Sequence, residues 1–558
     1  MMRHECDRFF SRTGHKAQSI CLRTSGETRR EPFRLILLVL VAEMIVLLTA
    51  CTVGPNYAKP TAEVPLTYKE MQGWKVAEPR DHLIRERWWE IYNDPEINAL
   101  EEQINISNQN LAVAEAQFRQ AQALVQVARA AYFPTVTTSP AYAYSLRSSN
   151  VGGSTSSTAS GTSLTPSPKT PTISTKTSPF SDFLLPMTVS WEVDVWGRVR
   201  RTVEASRANA QASAADLESV RLLVQTELAQ DYFLLRTVDG QKQLLEETVE
   251  AYQKSLDLTK HRYAGGIASG LDVVQAETQL KTTQAQAIDV GVQRAQLEHA
   301  IASLVGKPAS DFSIPVKTLR AILAVIPIGV PSELLERRPD IAASERLMAA
   351  ANAQIGVAVA AYYPTITLSA LGGFEASTLS EWLTWPSRFW SVGTSISQII
   401  FEGGLRRAQT EQARAAYDAT VASYRETVLT AFQEVEDNLA ALRILEEEAR
   451  VQDEAVTAAK RSVALTTNEY KAGTVSYLSV IVTQAIALNN ERTALDIAGR
   501  RMNASVLLVK ALGGGWNASS LLSVDDPAGN SEKHPQSVGS KPPLPDQASD
   551  HPLPDGDR

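Results

Sequence analysis

The chain has 558 residues, 54 Lys and Arg against 62 Asp and Glu, and a formal net charge of -8 at pH 7. A mildly acidic chain with no basic stripe interleaved with aromatics excludes a nucleic-acid partner. The seven histidines never fall at metal-ligand spacing, so neither a metal nor another cofactor is expected. No Ser-His-Asp, Cys-His or paired-carboxylate constellation points to catalysis, so no catalytic residue is assigned.

Residues 35–50 form a short apolar run behind Arg29, Arg30 and Arg34. This is the layout of a secretory signal, too short for a membrane span. A small residue just before Cys51, after an apolar run, marks a lipoprotein cleavage site. Residues 1–50 therefore read as a signal peptide, and its long basic region reads as a start placed too far upstream. Cleavage removes Cys6 and Cys21 and leaves Cys51 as a lipid-bearing N-terminus. Thr52, where aspartate would retain a lipoprotein in the inner membrane, favours the outer membrane. Residues 51–85, with Pro55, Pro60 and Pro65, read as an extended lipid-anchored tether.

The rest of the chain repeats itself in order. ARAAYFPTVT at Ala128–Thr137 returns as AVAAYYPTIT at Ala358–Thr367. VWGRVRR at Val195–Arg201 is echoed by FEGGLRR at Phe401–Arg407, and RYAGG at Arg262–Gly266 by EYKAG at Glu469–Gly473. The first repeat spans 86–306, with strands near 133–147 and 183–196 and a long helix at 198–261. The second spans 333–512, with strands near 363–377 and 388–402 and a long helix at 406–470. Residues 307–332 connect the two. Ser148–Ser178, nearly all Ser, Thr, Gly and Pro, is an exposed loop between the first two strands. Residues 513–558 end in a tail too poor in large apolar side chains to fold.

Met187, Val189, Trp191, Val193 and Val195 alternate with Thr188, Ser190, Glu192 and Asp194. Strict alternation marks a strand with one apolar and one polar face. Strands of about 10–14 residues, with aromatics such as Tyr132, Trp196, Tyr363 and Phe401 at their ends, suit a bilayer. Four strands cannot close a membrane barrel, for which about eight is the minimum, and an open edge in lipid is forbidden. Three chains pooling their strands would supply roughly twelve. The long helices, each about 95 Å at 1.5 Å per residue, are rich in alanine and suit close helix packing. The shorter helices, about Glu96–Tyr132 with Leu271–Val305 and Ser332–Tyr362 with Leu478–Leu512, have the combined length to stack beside them. Gly265-Gly266 and Gly473 end the long helices, and Ser269 and Ser476 cap the next ones.

With these landmarks in place, the chain resembles the TolC-like outer-membrane efflux channels, in the lipoprotein branch of NodT or OprM type. The carriers are Cys51–Tyr57, Trp88-Trp89 with Asn93-Asp94-Pro95, both Ala-Ala-Tyr-aromatic-Pro-Thr junctions, Asp194–Gly197, Arg337–Asp340, both glycine turns and Ala511–Trp516. The resemblance implies a mainly α fold with a membrane β-barrel: four strands per chain, a twelve-strand barrel in a homotrimer, and a long α-helical barrel crossing the periplasm. It implies an exit duct for small molecules, joined through a periplasmic adaptor (membrane fusion) protein to an inner-membrane pump of the resistance-nodulation-division class. Residues 85–100, 307–332 and 513–524 would form an equatorial collar. Glu192 and Asp194 would face the lumen. Arg262, Gly266, Ser269, Tyr470, Gly473 and Ser476 would meet the adaptor. At the periplasmic aperture Leu478 matches a leucine ring. Val482 stands where the family often carries a carboxylate, so the ring there would close by dewetting. Asp272, the counterpart of Ser479, would supply negative charge instead. Two other readings remain: the channel of a protein secretion system, and a lipid-anchored periplasmic coiled-coil scaffold, which leaves the strands unused.

Overall fold

The computed structural model describes residues 52–61, 64–65, 67–70, 87–146, 179–319, 326 and 334–516. The expected signal peptide, Cys51, much of the 51–85 tether, the Ser148–Ser178 loop, most of the 307–332 connector beyond 319 and the tail beyond 516 lie outside the described residues. The chain divides into two units, Met1–Thr52 and Val53–Arg558. Only Thr52 of the first is described, and everything below belongs to the second.

The elements run α1 (Pro95–Ser107), α2 (Gln109–Ala130), β1 (Thr135–Thr138), β2 (Ala141–Ser145), β3 (Phe180–Val193), α3 (Arg198–Ala264) and α4 (Gly270–Leu304). The second copy follows as α5 (Pro339–Ala360), β4 (Thr365–Ala376), β5 (Arg388–Ser397), α6 (Leu405–Ala472) and α7 (Tyr477–Ala511). The long helices α3 and α6 have 67 and 68 residues. Each has two shorter helices of its own copy beside it, α2 and α4 along α3, and α5 and α7 along α6. Helices α5 and α7 also pack on α3, which joins the copies.

Two breaks refine the sequence expectation. The helix expected over 96–132 is interrupted at Asn108, whose side-chain oxygen accepts the Leu111 amide (2.9 Å) and caps α2. An asparagine offers the backbone this alternative partner and so favours helix ends over helix interiors. Its amide nitrogen donates to Leu304 O (2.7 Å), and Ser107 Oγ donates to Val305 O (2.7 Å). The break therefore satisfies carbonyls left open at the end of α4. The first strand is likewise split into β1 and β2, yet both pair antiparallel with β3 in one continuous register, from Thr135↔Ser190 to Ser145↔Phe180. The gap falls at Ser139-Pro140, where proline removes a ladder donor. The pieces thus amount to four strands, ordered β1/β2-β3-β4-β5, all antiparallel, with β1/β2 and β5 as open edges.

Where strand turns into long helix, both copies use the same device. Gly197 (φ 83°) and Gly404 (φ 90°) cap α3 and α6 in the left-handed region, which a side chain resists. This is the physical content of the Val195–Arg201 and Phe401–Arg407 echo. The main apolar core gathers where α1 and its preceding turn meet the middles of the long helices. Trp88, Trp89, Ile97, Leu228, Tyr232, Tyr424 and Leu439 are buried in it. Nearer the sheet, alanines such as Ala208, Ala349 and Ala350 bring α3 and α5 close together.

Candidate functional site

Three places carry the residues singled out by sequence: the helix tips, the sheet with its corners, and the N-terminal segment.

At the first tip α3 ends in Gly265 and Gly266 (φ 73°). The amides of Ile267 and Ala268 close back on Arg262 O at 2.8 and 3.2 Å. Ser269 then forms a complete capping box: its Oγ accepts the Asp272 amide (3.2 Å), and the Asp272 carboxylate accepts the Ser269 amide (3.0 Å). At the second tip Gly473 (φ 81°) lets the Thr474 amide reach Glu469 O (3.0 Å). Ser476 sits at the cap position of α7 without a side-chain cap bond. Space around Gly266 and Gly473 is open, so glycine is needed there for the turn itself.

The two tips are clamped together. Arg262 Nη1 donates to Lys471 O (2.9 Å), and its guanidinium lies 4.8 Å from the Tyr470 ring centroid. Tyr470 packs against Tyr477 with tilted rings, centroids 5.2 Å apart, and the Tyr477 hydroxyl hydrogen-bonds Ser255 Oγ at 3.1 Å. Tyr252, Leu256, Ala276, Leu280 and Val480 complete this small core. Burial above all raises the Tyr477 phenol, and the nearby Asp272 charge adds to it. Among the residues expected to meet an adaptor, Gly266, Ser269, Gly473 and Ser476 are exposed, Arg262 is half-buried and Tyr470 is buried. Tyr477, which the sequence reading passed over, is only 2% exposed and anchors the clamp. Its position straight after the Ser476 cap is the signal that could have found it.

Leu478 and Val482 are both about half exposed, and Ile486 extends them into one apolar stripe along α7. Spacing of four keeps side chains on one helix face. Asp272 lies on the other tip, with a carboxylate oxygen committed to its own cap.

In the sheet, register fixes the faces. Val193, Trp191, Val189 and Met187 of β3 stand opposite Ile366, Leu368, Ala370 and Gly372 of β4. These in turn stand opposite Ile396, Thr394, Val392 and Trp390 of β5. The other face carries Glu192, Ser190 and Thr188, then Thr367, Ser369 and Leu371, then Ser395, Gly393 and Ser391. Trp390, Val392 and Ile396 are well exposed. Glu192 accepts Arg198 Nε and Nη2 at 2.9 and 2.6 Å. Asp194 lies just past the end of β3; its oxygens take the amides of Val199 (3.0 Å) and Arg200 (2.9 Å). Both carboxylates thus build the strand-to-helix corner. Asp182 and Glu375 share their face at the far end of the sheet, where Pro186 interrupts the polar side of the alternation and hid them in the sequence. No helix among the described residues is long and apolar enough to cross a membrane.

The N-terminal segment is extended, as its prolines require, but it is held. The Val53 amide donates to Trp196 O (3.2 Å). Buried Arg201 donates to Asn56 Oδ1 (2.8 Å), and Asn352 Nδ2 to Pro55 O (3.1 Å). A Cβ on Gly54 would lie 2.5 Å from Gly356 Cα, so the chains cross where neither has a side chain. Tyr57 donates to Glu345 Oε1 (2.8 Å). Farther along, the amides of Lys69 and Glu70 reach the Glu436 carboxylate at 2.6 and 3.0 Å, and Arg443 pairs with Glu70 at 2.7 Å.

A two-faced open sheet running straight into helices of this length defines the subunit of a membrane duct. Residues 100–307 and 330–514 match the family described as Outer membrane efflux protein, and the chain belongs to it. It is 29% identical over 492 residues to the toluene efflux pump outer membrane protein TtgC of Pseudomonas putida, covering 87% of this chain and 97% of that one. It is 26% identical over 472 residues to the cation efflux system protein CusC of Escherichia coli, covering 84% and 96%. The solved outer-membrane channel OprN superposes with a TM-score of 0.74 at 29% identity, covering 84% of this chain and all (100%) of that one.

Proposed function

We propose that three copies of this chain close into one outer-membrane exit duct, passively conducting small molecules out of the cell. The observation that carries this is the four-stranded sheet. It has one apolar face, one polar face and two unpaired edges, and it continues directly into α3 and α6. Pairing β5 of one copy with β1/β2 of the next removes every edge and gives a barrel of about twelve strands, within the range that spans membranes. The apolar face then meets lipid and the polar face lines water. Glu192 and Asp194 stand at the inner rim of that lumen, their charge offset by Arg198 and Arg200. The long helices extend the tunnel through the periplasm.

The exposed turn residues Gly266, Ser269, Gly473 and Ser476 receive a periplasmic adaptor protein, which couples the duct to an inner-membrane pump of the resistance-nodulation-division class. Arg262 and Tyr470 support that surface from behind. Leu478, Val482 and Ile486 form the aperture, an apolar constriction that closes by shedding water; Asp272 supplies charge beside it. A lipid on Cys51 adds a second hold on the membrane. The relatives' names span toluene and cations, which fits a duct whose cargo is chosen by its pump.

The test has two arms. The purified protein should run as a trimer in cold SDS and as a monomer after boiling. A deletion strain should become sensitive to at least one compound in a panel of antibiotics, solvents and metal salts. Unchanged sensitivities together with loss of one secreted protein would overturn the small-molecule reading.

A further inference from the structure

At its end farthest from the helices, the apolar face of the sheet carries a cation. Arg388 opens β5 on the same face as Trp390, Val392 and Ile396, opposite Phe374. An arginine on a lipid-facing strand is costly at mid-bilayer and tolerated toward the edges. Its guanidinium sits 3.6 Å from the Trp385 ring centroid and makes no salt bridge among the described residues. The ring holds the fork in one orientation and covers one of its faces, leaving the N–H edge free.

The loop around this pair is built to present it. Glu381 O accepts the Thr384 amide (3.2 Å), Thr384 Oγ1 (2.7 Å) and Ser387 Oγ (2.7 Å), which pins residues 381–387. Trp382 turns back toward Phe183, with ring centroids 5.8 Å apart. Leu379, Leu383 and Trp385 are 65%, 64% and 72% exposed. The loop's one carboxylate, Glu381, takes Thr378 Oγ1 at 3.3 Å. A rigid loop that holds up apolar side chains beside an unpaired arginine, continuous with a lipid-facing sheet, fits the polar boundary of the outer leaflet.

We propose that Arg388 and Trp385, flanked by Leu379 and Leu383, form a binding site for a phosphate-bearing glycolipid headgroup of the outer leaflet. The proposal rests on the reading of β1–β5 as membrane strands. The guanidinium edge takes two phosphate oxygens, a geometry that arginine matches and that a point charge does not. The leucines and the tryptophan ring seat against the sugar and the upper acyl chains.

The full-length trimer in mild detergent is heated with doubly phosphorylated lipid A, with its enzymatically dephosphorylated form, and with inorganic phosphate. Loss of the SDS-resistant band is followed. The phosphorylated glycolipid should raise the dissociation temperature, and the other two should not. Arg388→Gln and Trp385→Ala should lose most of that shift, while Arg425→Gln on α6 keeps it. Arg388→Lys, which retains charge and folding, should keep only a minor part. An equal shift from the dephosphorylated lipid or from free phosphate overturns the site, as does a full shift in Arg388→Gln, with the barrel reading intact. Absence of any SDS-resistant trimer in the unaltered protein overturns the barrel reading and this site with it.

Discussion

Glu101 lies on α1 beside Ile97, Leu100 and Ile104, is fully buried, and has no hydrogen-bond partner for either oxygen among the described residues. Burial pushes its carboxyl well above the ordinary range. A carboxyl raised in the folded state keeps a proton that the unfolded chain has released. Its cost to stability is therefore absent below the unfolded value near 4.5 and grows as pH rises toward the folded value. Glu101→Gln should unfold at a higher temperature than the natural protein at pH 8, by a gain on the order of 1 kcal/mol, with the two converging at pH 4. Parallel melts across that range check it. Its spacing, four residues after Ile97 and three before Ile104, puts it on the apolar stripe of α1, a sign that is easily passed over because glutamate as a residue type reads as surface. The burial of Tyr470 was hidden for a different reason: it comes from Tyr477 across the glycine turn and from Arg262, far off in sequence.

At the scale of elements, the hairpin tips behave as one unit because Arg262 reaches across from α3 to the end of α6. Arg262→Ala removes that hydrogen bond and its ring contact while leaving both glycine turns intact. Single-channel recordings in planar bilayers should show a higher open fraction or conductance. Melting of the trimer should change little, since the main core lies elsewhere. Unaltered conductance would mean that the clamp plays no part in the aperture. Most of the elements were legible, because their signals are local: alternation in β3, uninterrupted Ala-rich runs in α3 and α6, glycines at positive φ. The breaks at Asn108 and Pro140 were visible as residue types but not as breaks. Each matters through a partner elsewhere, the open carbonyls of α4 in one case and the ladder of β3 in the other.

For the whole molecule, the repeat makes physical sense once the sheet is seen to stop at two bare edges. Two copies in one chain supply paired strands and paired long helices, and only further chains can close them. A barrel held by its own strands should not depend on an acyl chain. Cys51→Ser, expressed behind a cleavable signal without a lipobox, should therefore still fractionate with the outer membrane and form SDS-resistant trimer, at reduced yield. Complete recovery in the soluble periplasmic fraction would show that the sheet alone cannot hold the membrane. The duplicated architecture and the need for several chains were legible from strand arithmetic. The composition of the main core was not, since it joins residues as distant as Trp89, Tyr232 and Leu439.

The strap formed by the described residues between Val53 and Glu70 has a consequence for the order in which the protein takes shape. Tyr57 meets Glu345, and Lys69 and Glu70 meet Glu436 and Arg443. Val53 and Asn56 have partners in the first copy, at Trp196 and Arg201, but these later partners lie in the second, so the rest of the strap has no place to lie until nearly everything else has been made. Closing contacts across such separations is slow. Residues 57–70 of the strap therefore find their places late, and their seating marks the completion of the subunit.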